Sequence, residues 1–150
     1  MGTRSLTVFE DDGEKVAVIY QQYDGYPEGV GKELAEFLTT LKVVNGWRDD
    51  GAGQANGVGC LAAQFVKRFK NGCGGLYLYP TNAKGCGEEY LYTVSTDSRL
   101  EPTRTILRAD SVHPKYDSQY KLVSIEYEKL FEGAPEDYLK WLENEKEGEE

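Results

Sequence analysis

Two segments at the start of the chain, residues 3–9 and 15–23, constrain the fold more than any other feature. Both are rich in β-branched and aromatic residues, and the Asp12-Gly13 pair between them is a strong signal for a tight turn between antiparallel strands. Alternation of side chains places Leu6 and Val8 on one face of the first segment. The sequence therefore predicts an N-terminal β-hairpin whose first strand is covered on one side.

Three later segments carry apolar residues at helical spacing. Leucine and phenylalanine at positions 34, 37, 38 and 41 predict a helix over residues 31–41. Asn56 is a typical N-cap for a second apolar stripe, which ends at Asn71. Pro135 stands at the start of a third stripe, which predicts a short helix over residues 134–146 docked on a sheet.

Four segments after the second helix alternate in the manner of strands, at residues 76–79, 90–94, 104–109 and 121–128. We expect the first two to form an antiparallel hairpin with its leucines buried. Tyr77, Tyr79, Tyr90 and Tyr92 then form a face for a ligand or partner, unless the C-terminal helix covers it. The order ββααββββα predicts a single α+β domain, with one antiparallel sheet of about six strands, two central helices and a C-terminal helix.

The net charge of −9 is unevenly distributed. Residues 126–150 hold ten acidic and three basic side chains, which account for −7 of the total. We predict one domain over residues 1–142 and an acidic, frayed tail over residues 143–150. A nucleic-acid polymer or a membrane surface is not an expected partner, because binding either by charge needs a cluster of Lys and Arg.

The location is predicted from two absences in the sequence. No apolar run approaches the roughly 20 residues that cross a bilayer, and the N-terminus does not follow the pattern of a signal peptide. We therefore expect an intracellular protein of the cytoplasm, which is the host cytoplasm if a phage encodes it.

One histidine and three cysteines limit the chemistry of the chain. No Cys-x-x-Cys pair is present and no histidine lies near a cysteine in the sequence, so neither a metal site nor a cofactor is predicted. His113, which precedes Pro114, is expected on an exposed loop. We predict no catalytic residues and expect no enzyme; the alternative is a small hydrolase or transferase that uses His113 or a carboxylate.

Glycine is concentrated in the middle of the chain, where 13 of the 17 glycines lie between Gly25 and Gly87. Two Gly-rich junctions, residues 25–32 and 51–59, lead into predicted helices, whose free N–H groups attract anions. Tyrosine and amide side chains in residues 20–26 are suited to stack on planar rings and bind their edges. The alternative is that these residues only form tight turns and pack under a helix. The predicted ligand-binding residues are Arg4, Gln21, Gln22, Tyr23, Asp24, Gly25, Tyr26, Gly29, Gly31, Asn56 and Gly57.

Residues 1–6 (MGTRSL), 20–29 (YQQYDGYPEG), 55–62 (ANGVGCLA) and 86–90 (CGEEY) resemble a group of small proteins found in phages and scattered microbial genomes. The similarity covers about the first two thirds of the chain. No activity is established for that group, so the resemblance implies a context and no site residues. The context favours an accessory protein that sequesters a signalling nucleotide of the host or blocks a host defence complex.

The leading hypothesis is a non-catalytic binding protein of the counter-defence type. Its two Gly-rich junctions would hold a small nucleotide-like ligand, anionic or heterocyclic. The alternative is an acidic inhibitor of a host protein complex, which acts through the C-terminal residues as a nucleic-acid mimic or in the manner of an anti-CRISPR protein. A homo-oligomer is left open by the sequence.

Overall fold

A computed structural model describes residues 2–46, 52–97 and 103–148 of the chain. The strands in these ranges are β1 (Ser5–Asp11), β2 (Glu14–Gln21), β3 (Lys42–Val44), β4 (Gln54–Asn56), β5 (Leu76–Tyr79), β6 (Tyr90–Asp97), β7 (Arg104–Tyr116) and β8 (Leu122–Gly133). The helices are α1 (Lys32–Thr39), α2 (Gly57–Phe69) and α3 (Pro135–Gly148), and a π-helical turn, Pro27–Gly31, leads into α1. Among these helices, none is long and apolar enough to cross a membrane.

Six strands form one sheet in the order β5-β2-β1-β6-β7-β8, and β3 pairs with β4 in a separate two-stranded ribbon. All neighbours in the large sheet are antiparallel except β1 and β6, which run parallel. The predicted α+β class, with a six-stranded and mostly antiparallel sheet, is confirmed.

The N-terminal hairpin is confirmed, but β1 is covered on both sides. Asp12 and Gly13 adopt φ angles of +50° and +81°, the left-handed conformation that a two-residue hairpin turn requires. Every residue from Ser5 to Phe9 is buried. The prediction of one covered face was wrong, because Phe9 packs against Phe65 of α2 on one face and the cluster of Leu6 and Val8 packs against Ala83 on the other.

The main core lies between the sheet and the three helices. Phe65 of α2 contacts Phe9, Phe37 and Phe69, with ring centroids 4.8–5.7 Å apart. A smaller cluster lies on the opposite face of the sheet, formed by Leu6, Val8, Val18 and Tyr20 and covered by Tyr79, Ala83 and Leu91. The loop of residues 80–89 therefore takes the place of a helix on that face.

The predicted hairpin of residues 76–79 and 90–94 was wrong. β5 pairs with β2 at one edge, whereas β6 lies between β1 and β7, so the connecting loop crosses the face of the sheet. The proposed tyrosine face is divided as a result. Tyr92 is fully buried on the helix side, and Tyr77 and Tyr79 contact Tyr20 on the other side. Leu78, expected in the core, is 70% exposed at the sheet edge.

The three predicted helices are confirmed, with small shifts at their ends. Asn56 occupies the N-cap position of α2, but its side chain does not cap the helix; its Oδ1 accepts a hydrogen bond from the N–H of Gly46 at 2.7 Å. The predicted loop of residues 45–54 includes residues 47–51, which lie outside the described residues, and it ends in β4. The first part of the predicted acidic tail, residues 143–148, belongs to α3, and its division from the domain stays a prediction.

Strands β7 and β8 are longer than predicted and form a hairpin arm. β7 pairs with β6 only as far as Ser111, while β8 continues alongside it to Tyr116. We refer to residues 112–127 as the hairpin arm. His113 is exposed, as predicted, but it lies on β7 and not on a loop.

Two buried tyrosines fix the π-helical turn to the core. The hydroxyl of Tyr92 donates to the carbonyl of Gly25 at 2.7 Å, and that of Tyr138 donates to the carbonyl of Pro27 at 2.8 Å. Burial raises the pKa of both phenols above the ordinary value, so both remain neutral donors at physiological pH. A Cβ atom on Gly31 would collide with the Tyr138 hydroxyl and lie 3.0 Å from Cε1 of Tyr92.

A pair of Gly→Ala substitutions tests this packing. Gly31→Ala should lower the free energy of unfolding by about 1–3 kcal/mol, because the added methyl group must displace buried tyrosines. Gly59→Ala in α2 is the matched control: its Cβ would meet only Val16, at 3.8 Å, and Ala is favoured over Gly in a helix by about 1 kcal/mol. Urea unfolding measures both. Equal effects from the two substitutions would contradict the proposed crowding at Gly31.

Candidate functional site

The glycines of the first junction are explained by contacts within the chain. A Cβ on Gly25 would lie 2.8 Å from Cβ of Ser5, and one on Gly29 would lie 3.1 Å from Cβ of Asp24. With Gly31 against Tyr138, three of the predicted site residues are positions where the protein packs against itself. The close approach that glycine permits here is made by the chain's own atoms.

The polar side chains of the first junction are partly occupied. Gln22 exchanges hydrogen bonds with Gly75, through its N–H at 3.0 Å and its Oε1 at 3.1 Å. Tyr26 donates to Oδ1 of Asp24 at 3.2 Å, and this hydrogen bond raises the pKa of the phenol. Oε1 of Gln21 is buried without a hydrogen-bond partner among the described residues. Tyr23 is 60% exposed.

The two Gly-rich junctions lie at opposite ends of β2. Gly59 in the second junction faces Val16, near the start of β2, whereas the first junction follows Gln21 at its end. Five residues of extended strand separate those points by about 16 Å. Asn56 is bonded to Gly46, and Gly57 adopts a φ of +81°. The structure therefore does not bring the two junctions together around one small ligand.

Arg4 lies in a different place, in a cavity of about 210 Å³ on the sheet face opposite the helices. Its guanidinium covers Gly87, where a Cβ would come within 2.6 Å of Nη1. No carboxylate of the described residues forms an ion pair with Arg4. The remaining walls are Gly85, Glu88, Glu89, Val112, Pro114, Tyr116 and Ile125.

A buried carboxylate holds the loop that forms one wall of this cavity. Glu88 is 4% exposed, and its two oxygens accept hydrogen bonds from the backbone N–H groups of Gly85, at 3.1 Å, and Cys86, at 2.7 Å. These charge-assisted bonds use the carboxylate within the loop. Arg4 is therefore the cavity's available cation, and Glu89 is an exposed acid beside it.

A second cavity, of about 300 Å³, lies on the same face over β1, β6, β7 and β8. At its base, Arg108 binds Asp110, with 3.0 Å between Nε and Oδ2 and 3.1 Å between Nη2 and Oδ1. Asp110 is 2% exposed, and its hydrogen bonds raise the pKa of Arg108. Glu10, Leu91, Thr93, Ser95, Ile106, Tyr127 and Glu132 complete the walls.

Tyr127 lines the second cavity. Burial raises the pKa of its phenol, and the charges of Glu88 and Asp110, one from each cavity, raise it further. The ring is 43% exposed. We refer to the two cavities together as the open-face groove. Small-molecule sites usually have volumes of about 300–1,000 Å³, and the second cavity, of about 300 Å³, lies at the lower end of that range.

Ser111, His113 and Glu128 form a cluster outside the groove, on the other face of strands β7 and β8. Oγ of Ser111 lies 2.9 Å from Nε2 of His113, and Oε2 of Glu128 lies 3.6 Å from the same nitrogen. In a catalytic triad the carboxylate binds the other ring nitrogen and orients the base. Here serine and glutamate converge on one nitrogen, so the cluster differs from a triad. Among the described residues, no group of three His, Cys, Asp or Glu side chains is placed to hold a metal ion.

Sequence reasoning identified Arg4 but none of the residues around it. The missed residues of the arm are Val112, Pro114, Tyr116, Ile125 and Tyr127. Their alternation with Ser111, His113, Lys115, Ser124, Glu126 and Glu128 is visible in the sequence. It was the available signal for an arm with one apolar and one polar face. The partners of Arg4 in the fold are not visible, because they come from about 80 to 120 residues further along the chain.

Substitution of Glu88 tests whether it holds the loop. Glu88→Ala should accelerate amide hydrogen exchange at Gly85 and Cys86 by about tenfold or more, because each amide loses a hydrogen bond to a charged group, worth about 1.5–3 kcal/mol. Glu88→Gln keeps one acceptor oxygen and should have a smaller effect. Glu89→Ala removes the neighbouring exposed carboxylate and is the control. Unchanged exchange in Glu88→Ala, measured by mass spectrometry or NMR, would show that other contacts hold the loop.

Comparison of the chain with models of protein families, with curated proteins and with solved structures finds no match. Its function must therefore be inferred from the geometry of the site.

Proposed function

We propose that this protein is a non-catalytic binding protein that holds a small anionic ligand in the open-face groove. The observation that carries the proposal is the guanidinium of Arg4, which lines a cavity without an ion-pair partner among the described residues. Arginine binds phosphate and carboxylate groups through two parallel hydrogen bonds. The acidic group of the ligand would bind Arg4 from the open side of the cavity.

The walls beside Arg4 indicate what else the ligand carries. Pro114 and Ile125 are apolar, and the ring of Tyr116 is 56% exposed. Such surfaces accept a planar ring by stacking and van der Waals contact. A ligand with a phosphate or carboxylate next to a heterocycle, such as a nucleotide, fits this combination. Hydroxyl groups of Thr93 and Ser95 in the second cavity offer hydrogen bonds to a sugar or a second polar group.

The biological role follows from the context implied by the resemblance to phage proteins. A protein that binds a nucleotide without transforming it removes that nucleotide from solution. In an infected cell, such sequestration would weaken a host response that uses the nucleotide as a signal. This role is part of the proposal and rests on the same groove.

Arg4→Ala tests the proposed ligand contact. Nucleoside monophosphates, cyclic nucleotides and inorganic phosphate are screened first by thermal shift, and the strongest binder is then measured by calorimetry. Arg4→Ala should weaken its binding by about tenfold to a hundredfold, as expected for the loss of 1.5–3 kcal/mol from charged hydrogen bonds. Arg68→Ala on the helix side of the sheet is the matched control and should bind as the wild type does.

Glu89→Gln should strengthen the binding of the anion, whereas Arg4→Ala should weaken it. Removal of an acid that lines the cavity beside Arg4 should tighten the binding of an anion by about twofold to fivefold. Stabilisation of the wild type by none of these anions would contradict the proposal. Equal binding by Arg4→Ala and the wild type would place the ligand elsewhere on the molecule.

A further inference from the structure

Strand β8 ends the sheet with an unpaired edge. The sheet order begins at β5 and ends at β8, and within the described part of the chain no strand pairs with the outer side of β8. β8 has 12 residues and contains no proline, whereas β5 at the opposite edge has only four. A long edge strand without proline is a site where another chain can add a strand, and in β8 the charges of Glu126, Glu128, Lys129 and Glu132 limit which registers are allowed.

The backbone N–H and C=O groups of the arm alternate in direction, and this alternation identifies the groups that are unpaired at the edge of β8. The N–H of Val112 donates to the carbonyl of Glu89 on the β6 side. Because these groups alternate along a strand, those of Ser111 and His113 point to β8, where the opposite residues are Glu128 and Glu126. The N–H and C=O groups of Ile125 and Tyr127 therefore point outward from the sheet.

Side chains along the same edge add apolar surface. Tyr120, at the tip of the arm, is 89% exposed, Val123 is 67% exposed and Tyr127 is 43% exposed. Of the acids between them, Glu126 lies 3.9 Å from Lys115, and Glu128 lies 3.6 Å from the imidazole of His113. The edge thus combines free backbone groups with exposed apolar side chains, and Lys115 offsets the charge of Glu126.

We propose that a second copy of this chain pairs with β8 in antiparallel fashion, about a two-fold axis through Ile125. In this register Ile125 lies opposite its own copy and Glu126 lies opposite Ser124. Val123, which has no partner on β7 because of a β-bulge, lies near Tyr127 of the second copy. A centre at Glu126 would place two Glu126 side chains face to face, and a centre at Tyr127 would place Glu126 against Glu128. Like charges directly opposite destabilise a strand pair, so the register at Ile125 is favoured over these two.

One like-charge pair remains in this register. Beyond the bulge, Lys121 lies near Lys129 of the second copy, at the two ends of the paired region, where Lys121 precedes β8 and belongs to the turn of the arm. There both ammonium groups can extend into solvent, so their repulsion is small.

The exposed parts of Tyr120, Leu122, Val123 and Tyr127 amount to on the order of 500 Å² per copy. Edge-to-edge pairing covers only the part of this surface that lies beside the strand edge, so the interface is smaller than the ~1,200 Å² of stable complexes and the dimer is expected to be weak. The two-fold axis is perpendicular to the sheet, so both open-face grooves open on the same side of a twelve-stranded sheet.

The oligomeric state of the full chain tests the proposal. Analytical ultracentrifugation should show a dimer of the wild type that forms at concentrations below about 200 μM. Val123→Lys, on an exposed side chain of the proposed interface, should raise the dissociation constant about tenfold or more. Leu78→Lys is the matched control, since it places the same charge on an exposed apolar residue of the opposite edge strand, and it should leave the dimer unchanged.

A cross-link tests the register. Ile125→Cys, in a chain that also carries Cys73→Ser to remove the exposed native thiol, should form a disulfide-linked dimer on mild oxidation, whereas Leu78→Cys should not. A wild type that stays monomeric up to about 200 μM would overturn the proposal. Dissociation by Leu78→Lys in place of Val123→Lys would also overturn it, and a dimer without the Ile125 cross-link would overturn the register.

Discussion

The parallel pairing of β1 with β6 is the contact on which the rest of the structure depends. It places residues 5–9 in the interior of the sheet, buried on both faces, between β2 and β6. Since β5 lies at the far edge, the chain must cross the open face of the sheet to reach β6. The crossing loop covers Leu6 and Val8 and is held by the hydrogen bonds of Glu88. The cavity of the open-face groove that contains Arg4 forms between that loop and the hairpin arm.

The helix side shows why a Gly-rich junction need not be a ligand site. Tyr92 and Tyr138 bring two hydroxyl groups into an apolar core, where each needs a hydrogen-bond partner. The carbonyl groups of Gly25 and Pro27 supply these partners only because the chain approaches the rings closely. Gly31 leaves the space for the Tyr138 hydroxyl. The glycines of this junction thus satisfy buried polar groups of the core.

Local structure was predicted from the sequence more completely than strand pairing. The Asp12-Gly13 turn and the stripes of α1, α2 and α3 depend on neighbours in the sequence, and the structure confirms them. Pairing of β6 with β1 depends on residues more than 80 positions apart, and no local pattern specifies it. The same difference explains the site: Arg4 was identified from its charge, whereas Pro114 and Ile125 become its neighbours only through the sheet order.

The central claim is that the ligand binds in the open-face groove and not at the Gly-rich junctions. Amide correlation spectra of ¹⁵N-labelled protein, recorded during titration with the tightest-binding nucleotide, test this claim most directly. The account predicts that the signals of Gly85, Gly87 and Ile125 shift, while those of Gly29 and Gly57 stay in place. Shifts concentrated at Gly29 and Gly57, with the groove signals unchanged, would contradict it.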